Sequence, residues 1–357
     1  MIGNAVGVST TPREPVGRRA GQNGAGSPDD RIWMGKAIEL AHTARVETAP
    51  NPWVGAVLVS RDGQVRGVGA TEPPGGRHAE IVALESAGPA AEGSTIFVTL
   101  EPCAHHGRTP PCIDALIVAR VSRVVVGVED PDPRVAGAGI AALRAAGIEV
   151  TVGIEQEAIE AQLEPYLVHR RTGRPLVVAK SAMTLDGRSA APDGSSRWIT
   201  GPEARADAHR IRAESGAIIV GSGTVRSDDP QLTVREANGR DPLRVVLGSA
   251  PEGARVHPCL EWAGSLDSLL DDLGGRHILQ VLIEGGPTVL GAFHQAGLID
   301  RYVVYLAPAI FGGNAALPMM QGTTPESMAG IWRGRLVDVQ RVGDDVRVDI
   351  VPDRKRE

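Results

Sequence analysis

The chain has 357 residues, which favours two domains over one, and a formal net charge of −6. Aromatic residues make up only 3% of it, and together with the acidic balance this argues against a polyanion-binding face, a base-stacking platform and a general nucleic-acid partner. No apolar run approaches the length of a membrane span, so no membrane partner is expected, and three cysteines, two of them at metal spacing, fit a reducing compartment; the expected location is cytoplasmic.

Residues 1–28 are rich in Gly, Pro, Arg and polar residues and read as a disordered leader, not a signal peptide. Order is expected from Asp29, where Asp29 and Asp30 can cap a helix carrying Ile32, Trp33, Ala37, Leu40 and Ala41 on one side. A strand over 54–59 follows. Gly75-Gly76-Arg77 ends a loop, and His78 opens a helix through Ile81, Val82, Ala83 and Leu84. Residues 95–100, β-branched and aromatic, read as a buried strand that delivers Glu101-Pro102-Cys103 at its C-terminal edge. Pro110 and Pro111 suit the start of a helix over 112–119. Strands at 124–128 and 149–152 enclose a helix at 140–146, whose Gly/Ala-rich approach reads as a tightly packed helix start. Strands and helices alternating after a first hairpin imply an α/β/α sandwich.

Ile159, Leu163 and Leu167 give 155–169 the spacing of a connecting helix that Pro165 kinks or ends. The basic stretch from Arg170 to Pro175 reads as a solvated linker, although it could touch a phosphate, and the domain boundary is placed there. The expected domains are 29–152 and 175–354, with 153–174 connecting them. Further strands are expected at 176–180, 217–220, 243–247, 278–283, 302–306 and 346–351, with a helix over 201–213, so the second half is again α/β.

The richest chemistry lies in the first half. His78, Cys103 and Cys112 are three zinc-type donors, and Glu80 stands beside them as a carboxylate that need not ligate. This is the outline of a zinc deaminase, in which the metal activates water and the Glu moves protons. Cys112 follows Cys103 by nine positions where the common pattern has three, so residues 104–111 must loop out and return Cys112 to the metal. A closed structural zinc knot is the competing reading, with His105 or His106 as fourth ligand, but such a knot has no use for Glu80.

In the second half Gly221-Ser222-Gly223-Thr224 follows a strand but lacks the third glycine of a dinucleotide fingerprint, so a plain turn competes with a nucleotide site. Ile283-Glu284-Gly285-Gly286-Pro287 runs from a buried strand into an apolar helix and suits a phosphate, though a turn that merely needs small residues has the same pattern.

The string from Thr99 to Cys112, with Pro50-Asn51-Pro52-Trp53-Val54-Gly55 and Asp130-Pro131-Asp132-Pro133-Arg134, resembles the deaminase half of the bifunctional riboflavin-biosynthesis enzymes. Lys180 to Arg188, Ser196 to Thr200, Gly221 to Thr224 and Glu284 to Gly291 resemble the reductase half of the same family. The resemblance implies a cytidine-deaminase-like N-terminal domain and a dihydrofolate-reductase-like C-terminal domain, both α/β, with Zn²⁺ and NADPH as cofactors and a homo-oligomeric state. It implies zinc-dependent deamination of 2,5-diamino-6-(ribosylamino)-4(3H)-pyrimidinone 5′-phosphate, then NADPH-dependent reduction of the ribosyl group to ribityl. His78, Cys103 and Cys112 would be the zinc ligands, Glu80 the proton shuttle and Asn51 a pyrimidine contact. Ala182, Trp198, Thr224, Asp228, Ser249, Gly286, Pro287, Thr288, Val289, Leu290 and Gly291 would contact NADPH. Ser196, Arg212, Leu232, Arg235 and Glu284 would hold the second substrate, with Lys180 a candidate for polarising it. For Arg212 and Arg235 a guanidinium fork suits a ribose phosphate, while a surface ion pair, for Arg212 with Glu214, is the plainer reading. A nucleoside or tRNA-base deaminase would explain only the first half. A zinc module joined to a nucleotide sensor would tolerate the loss of Glu80.

Overall fold

The computed structural model describes residues 27–105 and 110–353. Most of the expected leader, His106, and the last residue of the expected reductase domain lie outside the described residues.

Chain order in the first half is α1 (Pro28–Thr48), β1 (Gly55–Val59), β2 (Val65–Ala70), α2 (Ala79–Ala87), β3 (Thr95–Leu100), α3 (Cys112–Val118), β4 (Arg123–Val128), α4 (Ala138–Ala145), β5 (Glu149–Val152), α5 (Gln156–Gln162) and α6 (Glu164–Thr172). The strands form one sheet in the order β2-β1-β3-β4-β5, with β1 antiparallel to both neighbours and β3, β4 and β5 parallel. Helices α1 and α2 close on opposite faces of the β1–β2 hairpin. A Cβ on Gly55 would stand 1.9 Å from the Ala37 carbonyl of α1, and one on Gly69 would stand 2.2 Å from the Ala79 carbonyl of α2.

The first helix departs from expectation. Ser27 is its N-cap, and Asp30 completes a capping box by accepting from the Ser27 N–H. The buried stripe is Met34, Ala37, Ala41 and Ala44, while Ile32 points to solvent. Asp30 is buried because the Arg123 guanidinium grips both of its oxygens, at 2.8 and 3.0 Å. The connecting helix is two helices that break at Leu163, with Pro165 inside the first turn of α6.

The second half runs β6 (Leu176–Thr184), β7 (Arg188–Ala190), α7 (Pro202–Ala213), β8 (Ala217–Gly221), α8 (Ser222–Asp228), β9 (Leu243–Leu247), β10 (Leu260–Trp262), α9 (Leu266–Gly275), β11 (Gln280–Ile283), α10 (Pro287–Gln295), β12 (Arg301–Ala307), β13 (Leu317–Pro318), β14 (Gly334–Val342) and β15 (Asp345–Pro352). Eight of these strands form a sheet in the order β10-β9-β8-β11-β6-β12-β15-β14. From β10 to β12 all neighbours are parallel; β15 and β14 add antiparallel at the far edge. The strand β8, the first four residues of β6 and Val281–Ile283 of β11 are apolar and buried on both faces, as a parallel sheet covered by helices requires.

Each half has its own main apolar core, with Leu279 of the second half joining the first core and Val168 of α6 packing on one cluster of the second. Polar contacts join the halves: His169 Nε2 meets the Gly274 carbonyl at 3.0 Å, Arg45 pairs with Glu214 at 3.0 Å, and Arg301 pairs with Glu164 at 2.6 Å.

Candidate active sites in both halves

Three elements bring the first constellation together at the C-terminal edge of β3. His78 caps α2, Cys103 follows β3 by three residues, and Cys112 opens α3 immediately after Pro111. His78 Nδ1 lies 3.2 Å from Cys112 Sγ and 3.6 Å from Cys103 Sγ, and all three donor atoms fall within 4.8 Å of one another. Tetrahedral zinc, with Zn–N of about 2.0 Å and Zn–S of about 2.3 Å, sets its ligands about 3.5 Å apart, so this donor set fits the ion. The Cys112 thiol beside Cys103, with help from His78, pulls the Cys103 thiol down to about 4, and the same contact pushes Cys112 up. A dication would favour thiolate at both.

Glu80, in the first turn of α2, is buried, and its loss of water together with the nearby Cys103 sulfur pushes its carboxyl up to about 7. It lines a cavity of about 150 Å³ together with Asn51, His78, Cys103 and His105. His105 leaves its buried Nδ1 without a hydrogen-bond partner.

Two features of this cavity were not read from the sequence. Glu101 is buried, and its carboxylate accepts four backbone N–H groups, from Asp130 (3.3 Å), Gly137 (3.0 Å), Gly139 (2.9 Å) and Ile140 (3.1 Å). It therefore ties the start of α4 and the loop 130–137 to the residue that precedes Pro102 and Cys103. The second feature is α6. Tyr166 and Arg170 line the cavity opposite the metal cluster; Tyr166 donates to Asp130 at 3.0 Å, and Arg170 lies 3.8 Å from Asp132. Asp132 is held by Arg134 at 2.9 and 2.6 Å, which brings its carboxyl down to about 2. The basic stretch that begins at Arg170 thus starts inside a cavity wall, which corrects its reading as a solvated linker. Its helical i, i+4 spacing from Tyr166 was the available signal.

In the second half some of the expected residues share one region: Thr224 and Glu284 to Gly291 follow the C-terminal ends of β8 and β11, with β11 the neighbour of β6 and β8 one strand further on. Lys180 and Ala182 lie on β6; Lys180 Nζ sits 6.0 Å from the Tyr305 ring centroid. Gly221-Ser222-Gly223-Thr224 is not a plain turn, because α8 begins at Ser222. A Cβ on Gly285 would stand 2.8 Å from Val220 Cβ, and Gly286, at φ +48°, places its missing side chain 3.1 Å from Thr224 Oγ1. Two glycine turns therefore sit side by side, with close contacts at Gly221, Gly285 and Gly286 and open space at Gly223, a cradle of backbone that fits a dinucleotide phosphate. Thr288 lies at the exposed start of α10, while the side chains of Val289 and Leu290 are in the core and Gly291 packs on the Gln321 carbonyl; these last three could offer backbone only.

Arg212 is not a surface residue paired with Glu214. It is buried and grips Glu284 with two bonds, of 3.0 and 2.9 Å, and donates to the Thr233 carbonyl at 2.7 Å. Glu214 pairs with Arg210 and Arg45. Burial alone would raise Glu284; Arg212 and Lys180 outweigh it and hold its carboxyl below the ordinary range. Two residues expected to hold substrate thus hold each other. Arg235 is exposed, within 3.1 Å of Gln231 Oε1. Leu232 is buried at φ +56°. Trp198 is exposed, stacked under Arg205 at 4.4 Å, in the segment that also contains the half-buried Ser196. Asp228 ends α8, and Ser249 is exposed beyond the end of β9.

A deaminase-type metal cluster beside a buried Glu in one α/β domain, and a glycine cradle at the strand ends of a second, define a two-domain enzyme with two separate centres. Residues 27–128 match the cytidine and deoxycytidylate deaminase zinc-binding region, and residues 175–348 match the RibD C-terminal domain. The chain belongs to the RibD family of bifunctional riboflavin-biosynthesis enzymes. It is 44% identical to the riboflavin biosynthesis protein RibD of Mycobacterium tuberculosis (strain ATCC 25618 / H37Rv), over 89% of this chain and 96% of that protein. To RibD of Escherichia coli (strain K12) it is 39% identical, over 90% and 99%. Acinetobacter baumannii RibD, form 1, superposes with a TM-score of 0.86 at 41% identity, covering 91% of this chain and 99% of that one. A Thermotoga maritima structure described as a diaminohydroxyphosphoribosylaminopyrimidine deaminase/5-amino-6-(5-phosphoribosylamino)uracil reductase gives 0.83 at 35%, with coverage of 91% and 99%.

Proposed function

We propose that this enzyme deaminates the diaminopyrimidinone ribosyl phosphate in its first half and reduces the ribosyl group of the product to ribityl, with NADPH, in its second. The observation that carries the reading is the meeting of His78, Cys103 and Cys112 beside the buried Glu80 in a cavity that also contains Asn51.

His78, Cys103 and Cys112 would hold the metal. Bound there, Zn²⁺ supplies a water activated near neutral pH. Glu80 takes one proton of the attacking water as its oxygen bonds to the amino-bearing ring carbon and passes it to the ring nitrogen; it then takes the proton of the new hydroxyl and gives it to the amine, so that the C–N bond breaks as the carbonyl forms. Water is consumed and ammonia released. Asn51 orients the pyrimidine, and Arg134 and Arg170, with His105 across the cavity, make a rim that suits the ribose phosphate.

Bound in the second half, NADPH would supply the hydride that C1′ of the ribosyl group takes up. The turns at 221–224 and 285–288 would hold its phosphates. Lys180 on β6, whose charge acts on Glu284 just past the end of neighbouring β11, would polarise or protonate the reacting sugar. The Arg212–Glu284 pair shapes this site as a unit, and a substrate phosphate would compete for the same guanidinium.

The domain limits at 29–152 and 175–354 are supported by the two separate family matches. A homo-oligomer is supported by β14, an edge strand exposed on both faces with Leu336, Val337 and Val339 turned outward. No helix among the described residues is long and apolar enough to cross a membrane, in keeping with the proposed cytoplasmic location.

Mass spectrometry of the product, with zinc-loaded enzyme and NADPH, tests the proposal. Amine-to-carbonyl exchange adds about 1 Da, and hydride plus proton adds about 2 Da more. Unchanged substrate under these conditions would overturn it, and the first change alone would restrict it to the deaminase half.

A further inference from the structure

The reductase half carries a second set of metal donors. His257 and Cys259 lie just before β10 and Glu261 within it, and the bend at Pro258 leaves the three donors facing one another. His257 Nδ1, Cys259 Sγ and a Glu261 carboxylate oxygen all lie within 4.8 Å of one another, the same spacing that unites the deaminase cluster. His257 Nδ1 is 3.5 Å from Cys259 Sγ.

Contacts outside the trio orient two of the three donors. His257 Nε2 stands 3.1 Å from the Pro251 carbonyl, which can only accept. The ring proton therefore belongs on Nε2, and Nδ1 presents its lone pair toward the sulfur. Backbone carbonyls hold metal-ligating imidazoles in this way. The Ala250 N–H donates to Glu261 Oε1 at 2.8 Å and anchors that carboxylate. An imidazole, a thiolate and a carboxylate form a borderline-soft set of charge −2, which matches a thiophilic dication and disfavours Mg²⁺ or Ca²⁺. His257 and Glu261 are exposed, so a fourth position opens to water.

We propose that His257, Cys259 and Glu261 form a second, solvent-open site for a divalent cation of the zinc class, on the outer edge of the reductase sheet and independent of the deaminase centre. The same segment is tied to the proposed cofactor edge, since the Arg255 N–H donates to Asp229 Oδ1 at 2.8 Å next to Asp228. A bound cation would brace the segment from Ala250 to Trp262.

The test is a zinc titration of the full-length, chelator-stripped enzyme, read as zinc per chain after desalting, on the wild type and on Cys259→Ser. The wild type is expected to take up one more zinc per chain than Cys259→Ser, with circular dichroism and ammonia release the same in both. Co²⁺ provides a second readout. A thiolate-to-cobalt charge-transfer band should persist in Cys103→Ser/Cys112→Ser and vanish when Cys259→Ser is added. Should that variant fail to fold, the same band is taken as the difference between cobalt-saturated wild type and Cys259→Ser. Equal zinc uptake by wild type and Cys259→Ser, or no Cys259-dependent cobalt band, would leave a bare S–H···N hydrogen bond and overturn the proposal.

Discussion

Glu80 and Glu101 are buried carboxylates of the same domain with opposite surroundings. Both line the cavity, but Glu80 has the sulfur of Cys103 nearby, whereas Glu101 is saturated by four backbone N–H donors. The first is placed to exchange protons, the second to hold backbone. Glu80→Gln is therefore expected to lower kcat for ammonia release by about 10² to 10⁴-fold while zinc content stays at the wild-type level, the loss expected for one general acid–base group. Glu101→Gln keeps the shape but replaces one acceptor oxygen by a donor. Two of the four N–H groups then lose their partner, and a destabilisation of about 1–3 kcal/mol in urea unfolding is expected. Because the loop 130–137 and α4 hang on that carboxylate, KM for deamination should rise more than kcat falls. His78, Cys103 and Cys112 were legible as donors because few other roles demand those residue types at that spacing. Arg212 was legible as an anion binder, but not as the partner of Glu284, since a pairing 72 positions apart in the chain leaves no local trace.

At the level of elements, α6 shows how a connection becomes part of a site. It follows β5 and α5, lies across the mouth of the first sheet, and sets Tyr166 and Arg170 against the loop that carries Asp130, Asp132 and Arg134. Arg170→Ala is expected to raise KM for deamination by about 10- to 100-fold, the worth of one charge-assisted contact, with reductase kinetics unchanged. The same loop has a pH signature. Hydrogen bonding by Arg134 lowers Asp132 to about 2, below its unfolded value, so this contribution is complete above the ordinary carboxylate range and is lost as pH falls toward about 2. The protection factors of amides 130–137, taken against the intrinsic exchange rate at each pH, should fall over that acid range, and Asp132→Asn should abolish that fall. Five strands escaped the sequence for local reasons: β7, β10 and β13 span three residues or fewer, too short to show a period, while β2 and β14 break the strand pattern. β2 contains Gly67 and Gly69, which weaken strand propensity but let α2 approach. In β14 the register shifts between Leu336 and Asp338, and this irregularity breaks the two-residue alternation that marks a strand.

For the whole molecule, each sheet has its own main core, and the halves meet through both apolar and polar contacts: Leu279 joins the first core and Val168 packs on the second, beside the Arg45–Glu214 and Arg301–Glu164 pairs. The first sheet ends in β2 and β5, while the second has β10 and β14 at its edges. β14 combines unpaired backbone with exposed Leu336, Val337 and Val339, near the exposed Met328 and Trp332. Light scattering of the wild type is expected to show more than one chain per particle. Val339→Glu, which places charge on that edge, is expected to shift the particle toward one chain; an unchanged mass would place the interface elsewhere.

The amino-acid sequence alone determined the chemistry available: three zinc donors and a carboxylate in the first half, glycine turns after buried strands in the second, and an α/β pattern in both. These are local properties, set by residue type, by period and by the turns that glycine and proline permit. Only the tertiary structure decided which groups meet. It joined Arg212 to Glu284, brought Tyr166 and Arg170 against the deaminase cavity, set Glu101 under α4, and placed His257, Cys259 and Glu261 on a sheet edge with their orienting carbonyl and amide. Pairings of this kind depend on how helices and strands pack across long chain separations. That packing follows from the summed burial of both cores, so no single segment records it.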